Sequence, residues 1–116
     1  IVEQIEKIAE YLAKQGFTLR SGAAAGCDSA FEKSCDKVKG AKEIYLPWYK
    51  FNDHPSKLLW EKNAWDIAAE IHPIWDDLDV NSKCFHARNI CQVLGLDCKT
   101  PSDFVICYTE DGIIQG

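Results

Sequence analysis

The stretch TLRSGAAAGCDSAFE, residues 18–32, places six Gly or Ala residues where an extended apolar run gives way to a helical pattern. So little side chain at one bend leaves the main chain bare. Two readings of that bareness stand side by side. The amides at the start of the helix can receive an anion, because unsatisfied N–H groups and the helix dipole favour negative charge there. Alternatively, small residues allow a helix to pack closely on a strand, with Asp28 or Ser29 as the cap. The spacing is not that of a Walker A loop, since no GK[ST] follows, nor that of the G-x-G-x-x-G dinucleotide fingerprint.

Outward from this bend, the chain alternates between two periods. Residues 1–15 carry Ile1, Ile5, Ile8, Ala9, Leu12 and Ala13 at helical spacing with charge opposite, and Gly16 ends the pattern. Phe17 to Arg20 reads as a short strand, Asp28 to about Val38 as a helix closed by Gly40, and Glu43 to Trp48 as a strand stopped by Pro47. A polar and aromatic loop, YKFNDHPSK, follows. Helical spacing returns over Leu58–Ile71 and again from about Cys84 to Leu94, and DFVICY, residues 103–108, reads as a continuous apolar strand of the kind buried on both faces. Strands separated by helices predict an α/β fold with a mostly parallel sheet and helices on both faces, in one domain spanning residues 1–116. Three strands are few for such a sheet, and the pattern predicts a further strand ahead of Ile1 and a helix or strand after Gly116.

Composition narrows the function. A net charge of −5 argues against broad electrostatic attachment to a phosphate backbone. No apolar run approaches the roughly 20 residues that span a bilayer, so no membrane partner is expected and a cytoplasmic setting follows by default. Six cysteines invite a disulfide or metal reading, but none forms CxxC. Most lie in apolar periodic segments, where free thiols serve as small core groups. Asp76, Asp77 and Asp79 make an acidic group without EF-hand spacing, better read as a solvated turn, and Trp75 beside them is a candidate oligomer contact. No metal, cofactor or catalytic residue is assigned.

In parallel α/β sheets, ligands gather at the carboxyl ends of the strands. SGAAAGCD follows one strand and opens a helix. HARN, residues 86–89, places a fixed cation and an amide on one helical turn, and Arg88 suits bidentate contact with phosphate, although an arginine on an amphipathic helix is more often a solvated surface group. TEDGIIQG, with Thr109, Gly112 and Gly116, is either a polar binding loop or a plain turn at the end of the last strand.

Taken together, these three segments resemble the Rossmann-like nucleotide-binding superfamily that joins DNA-processing protein A (Smf) to the lonely guy, or lysine decarboxylase-like, phosphoribohydrolases, and in particular its small phage and bacterial members. SGAAAGCDSAFE is similar to that superfamily's S-G-G-A-x-G-A-D-x-x-F/A-E pattern, KEIYLPW to its next strand, HARNICQVLG to its arginine-containing helix, and DFVICYTEDG to the strand that leads into its final glycine loop. The resemblance implies a nucleotide or nucleotide-derived ligand. Ser21, Gly22, Ala23, Ala24, Gly26 and Asp28 take the phosphate-loop positions, Arg88 and Asn89 those of the helix motif, and Thr109 and Gly116 those of the last loop. It also implies a possible homodimer. Ala23 stands where the family usually has its second glycine, and Cys27 where it has alanine. The family's catalytic Glu belongs to a G-G-x-G-T-x-x-E pattern that would lie past Gly116, and the helix reads H-A-R-N instead of M-x-x-R-K. Nucleotide binding is therefore favoured over N-glycosidic cleavage of nucleoside monophosphates. Single-stranded DNA binding, a third implication, has Trp48, Tyr49, Phe51, Trp60 and Trp65 as stacking groups but is opposed by the net charge.

Overall fold

The computed structural model describes residues 1–107. Helix α1 (Val2–Lys14) leads through a turn into strand β1 (Leu19–Ser21), helix α2 (Cys27–Lys37) and strand β2 (Lys42–Leu46). A loop with one 3-10 turn at Phe51–Asp53 connects to strand β3 (Leu58–Leu59) and helix α3 (Lys62–Ile71). A second 3-10 turn at Trp75–Asp77 precedes helix α4 (Val80–Leu94). The three strands form one parallel sheet in the order β1-β2-β3, with Leu19 opposite Lys42 and Tyr45 opposite Leu58.

Alternation along β2 divides the core in two. Ile44 and Leu46 point to one side and pack with Ala23, while Tyr45 points to the other and packs with Ala64 of α3 and Cys91 of α4. Helices α1 and α2 pack on each other, as do α3 and α4. The amphipathic period expected for residues 1–15 is realised, with Ile5 and Ala9 buried. Arg20, Glu43 and Tyr45 share the α4 side. There Arg20 Nε donates to Glu43 Oε1 at 3.1 Å and the Tyr45 hydroxyl donates to the same oxygen. Burial first, and then the adjacent Glu43, hold the Tyr45 phenol well above its ordinary pKa.

Three elements differ from the sequence reading. Leu58 and Leu59 form β3, and the helix starts only at Lys62, because the leucines complete the edge of β2 and Trp60 turns back to donate its indole N–H to the Pro47 carbonyl at 2.8 Å. Pairing with a neighbouring strand outweighs helical periodicity over so short a stretch. The second difference is the expected strand DFVICY: residues 103–107 pair with no strand, and Phe104, Val105 and Ile106 are exposed. Helix α4 begins four residues earlier than expected, where the Asp79 carboxylate accepts the Ser82 N–H at 2.7 Å as a side-chain cap. One member of the acidic turn is thus a helix cap, and Trp75 is half-buried, edge-on to Trp65. All six cysteines are free thiols, and burial pushes the Cys91 thiol up to about 11, which leaves it inert as a nucleophile.

Candidate functional site

The small-residue turn occupies the carboxyl end of β1, and its two halves behave differently. Ser21, Gly22 and Ala23 are buried, Ala24 is half-buried, and Ala25 and Gly26 are open to solvent. Gly26 precedes the first helical residue with φ +91° and ψ −121°, a conformation that a Cβ would oppose. Having no side chain, it also leaves the first turn of α2 without a side-chain cap. The opening N–H groups of a helix have no partner within the helix. Here they follow directly on exposed backbone.

Three successive carbonyls of the turn are held by side chains. Arg88 Nη1 donates to the Gly22 carbonyl, Asn52 Nδ2 to that of Ala23 at 3.0 Å, and the Ser29 hydroxyl to that of Ala24 at 3.0 Å. With its carbonyls fixed, the turn has little freedom to rotate its peptide planes. The Asp28 carboxylate accepts the Ala24 N–H at 3.2 Å, so that amide is already occupied by a negative group of the chain itself. The amides that follow Ala24 are the ones left for an external anion.

Arg88 is the structural centre of the site. It is 94% buried, with 6% of its surface exposed, so the reading of this arginine as a solvated surface group is corrected. Its guanidinium lies 5.4 Å from the ring centre of Phe85 and 6.0 Å from that of Phe51, and its Nε donates to Asn89 Oδ1 at 2.9 Å. Phe51, Phe85 and Trp48 meet edge to face with ring centres 5.2–5.5 Å apart, forming an aromatic wall beside the cation. Burial lowers the guanidinium's affinity for its proton and the nearby Asp28 carboxylate opposes that effect. The group stays charged, since arginine retains its proton in proteins. A Cβ on residue 22 would fall 2.7 Å from Arg88 Cζ, so glycine is what lets the cation reach the main chain. The conformational reason for small residues and the electrostatic one thus coincide at Gly22.

The loop after β2 completes the frame. Asn52 reaches Ala23, and His54 Nε2 meets Glu32 Oε2 of α2 at 2.7 Å, while His54 Nδ1 accepts the Ser56 N–H at 3.0 Å. That acceptance leaves the ring proton on Nε2, directed at Glu32. Lys42 also binds Glu32, at 2.8 Å. Although burial raises the Glu32 pKa, its hydrogen bonds to Lys42 and His54 hold it below the ordinary value. Backbone strain collects in these two touching loops: Ala23, Lys50, Asn52 and Asp53 all have positive φ, between +51° and +62°. Left-handed backbone costs a residue with a Cβ about 1–2 kcal/mol, and glycine costs about 0.4–1 kcal/mol through the unfolded chain. Ala23→Gly relieves that strain but also removes a buried methyl packed with Ile44 and Leu46, worth about 0.8 kcal/mol, so the unfolding free energy read from the urea midpoint is expected to change by less than about 0.5 kcal/mol; a loss of about 1.5 kcal/mol or more would show that the packing of the methyl outweighs the relief.

Of the residues expected to bind a ligand, Ser21, Gly22, Ala23, Ala24, Gly26, Asp28, Arg88 and Asn89 come together here. Thr109 and Gly116 lie outside the described residues. Sequence reasoning missed Asn52, His54 and Phe85, and named Phe51 only as a stacking group for single-stranded DNA; YKFNDHPSK and Cys84–Leu94 each adjoin an element end, but no spacing links them to residue 22 or 23. Among the described residues no group of three or more His, Cys, Asp or Glu side chains is arranged to hold a metal ion, and no helix is long and apolar enough to cross a membrane. No protein-family description, curated protein or solved structure matches the chain.

Proposed function

We propose that this chain is a Rossmann-like nucleotide-binding protein of the DNA-processing protein A and lonely guy superfamily. In this reading it receives a nucleotide's phosphate on the amides between Ala25 and Ser29. One observation carries it: a turn at a strand's carboxyl end has its carbonyls engaged at Gly22, Ala23 and Ala24, and beyond them the uncapped N-terminus of α2 follows open backbone. Arg88 acts from beneath. It fixes the turn through the Gly22 carbonyl and adds positive potential that a low-dielectric surround screens weakly.

Binding is preferred to N-glycosidic cleavage because the carboxylates on this side of α2 are engaged. Asp28 holds the Ala24 amide, and Glu32 is shared between Lys42 and His54. Each already serves a structural contact of the turn or its frame.

The test is an amide-resolved NMR titration with inorganic phosphate and with adenosine monophosphate. The amides of Ala25, Gly26, Cys27, Asp28 and Ser29 are expected to shift with both ligands at roughly millimolar concentration or below, with the nucleotide binding more tightly. Shifts confined to other parts of the chain, or none at those five amides, would overturn the proposal.

A further inference from the structure

Helix α3 ends at Ile71 because Pro73 disfavours the helical conformation in the residue before it, and His72 turns extended with φ −86° and ψ 118°. Its backbone still closes the helix, the His72 N–H donating to the Ala68 carbonyl at 3.0 Å. From this position the imidazole serves two contacts. Its Nδ1 accepts the Ile74 N–H at 3.3 Å, which ties down the first residues of the connection to α4. Its ring meets that of His86 on α4 edge to face, with centres 4.4 Å apart and planes at 62°. The connection also carries Trp75, edge-on to Trp65 of α3. One imidazole thus joins the end of α3, the connection and α4.

Both contacts depend on protonation. The bond from Ile74 needs the Nδ1 lone pair, which an imidazolium lacks because both of its nitrogens carry hydrogen. The ring contact tolerates one charge but not two. At 4.4 Å two unit charges repel by more than the thermal energy even in bulk water, and the separation lies well inside the Debye length at physiological salt. Among the described residues no carboxylate forms an ion pair with either ring. The carbonyl end of α3 is the most negative structure beside the pair, and it offsets one imidazolium, not two.

We propose that His72 and His86 form an acid-released clasp: as neutral rings they join the end of α3 to α4, and protonation of both drives them apart and frees the connection between the helices. The electrostatics of His86 agree with this. Burial first, and then the charge of His72, hold its pKa below the ordinary value. The other charged groups on the elements around it do not contribute to that shift: Glu70 on α3, Asp76, Asp77 and Asp79 in the connection, and Lys83 and Arg88 on α4. A base whose pKa is lowered by folding stabilises the folded chain fully above its ordinary value, 6.5 here, and that contribution is lost as pH falls through the lowered one. The clasp therefore loosens from 6.5 downward, before most carboxylates begin to take up protons. His86 shares a turn of α4 with Phe85 and Arg88, so the clasp lies on the same helical segment as the buried cation of the candidate site.

The test follows both imidazoles and the backbone amides by NMR from about pH 8 to about pH 5, in the unmodified chain and in His72→Asn, whose side-chain oxygen accepts the Ile74 N–H but takes no proton. In the unmodified chain the Ile74 amide shift is expected to move together with the His72 ring. Protection of the His72 amide, corrected for intrinsic exchange, is expected to fall about fivefold or more on the acid side. In His72→Asn the His86 midpoint is expected to rise. The thermal midpoint should drop by about 3 °C or more between about pH 7 and about pH 5.5 in the unmodified chain, and by less than half as much in His72→Asn. His54 is present in both chains and cancels in the comparison. An Ile74 amide indifferent to the His72 ring, a His86 midpoint that does not rise, or equal acid losses in the two chains overturns the proposal. Should His72→Asn fail to fold, His86→Gln takes its place in the thermal comparison, and the titration of the unmodified chain decides the rest.

Discussion

Arg88→Ala is expected to lower the unfolding free energy by about 3 kcal/mol or more, the largest effect of any single substitution at the site. Two losses add. The Gly22 carbonyl, buried and bonded to the guanidinium, is left without its donor, which costs about 1–3 kcal/mol. A cavity also opens between Phe51 and Phe85, where the cation now lies over both rings, and cavities of side-chain size cost a further few kcal/mol. Urea denaturation followed by tryptophan fluorescence reads the change. Arg88→Lys keeps the charge but not the planar fork that reaches Gly22 and Asn89 together, so an intermediate loss is expected. The same variants bear on function. In buffer where Arg88→Lys stays folded, its phosphate-induced shifts at Ala25–Ser29 should weaken, because the turn is no longer held from below. An unchanged urea midpoint for Arg88→Ala would show that the guanidinium contributes neither the hydrogen bond nor the packing assigned to it.

Leu46→Ala is expected to cost a similar amount, roughly 3 kcal/mol within the usual range of 2–5 for a buried leucine. Leu46 is fully buried at the carboxyl end of β2 and packs with Ile44 and with Ala23 of the turn. Losing three carbons there leaves a gap directly under the strained residue. The thermal midpoint should fall by more than about 10 °C in a chain of this size. Leu59→Ala on the sheet's other edge, where the side chain is 37% exposed, should cost less than about 1 kcal/mol. Equal losses at the two positions would contradict the placement of the core between β2 and the turn.

These two expectations have different origins, and the difference shows what can be read from residues in order. Leu46 sits in an apolar run stopped by Pro47, and a strand with a buried centre follows from that pattern. The helices α1, α2 and α4 were legible in the same way, because a stripe repeating every 3.6 residues has one efficient burial mode. The bend at Ser21–Asp28 was legible because a run of small residues has few reasons to exist outside a turn or a close approach. Arg88 was a weaker case: its motif marked it as a candidate, but an arginine in an amphipathic helix is ordinarily a surface group, and nothing local places it under a carbonyl 66 residues away. The strand expected over 103–108 shows the limit from the other side. DFVICY has a strand's composition, yet residues 103–107 form none, since a strand requires a partner edge and composition cannot provide one.

What the sequence determined by itself is local and periodic: alternating helices and strands, a parallel α/β arrangement, and a bare turn entering α2. Tertiary structure alone decided that the Gly22, Ala23 and Ala24 carbonyls are each held by a side-chain donor, that Asn52 and His54 frame the turn, and that Leu58 and Leu59 join the sheet instead of a helix. The physical reason is that periodicity records which face of an element is apolar, whereas hydrogen-bond partners between distant segments depend on where those faces bring the chain, and that is settled only when the layers pack.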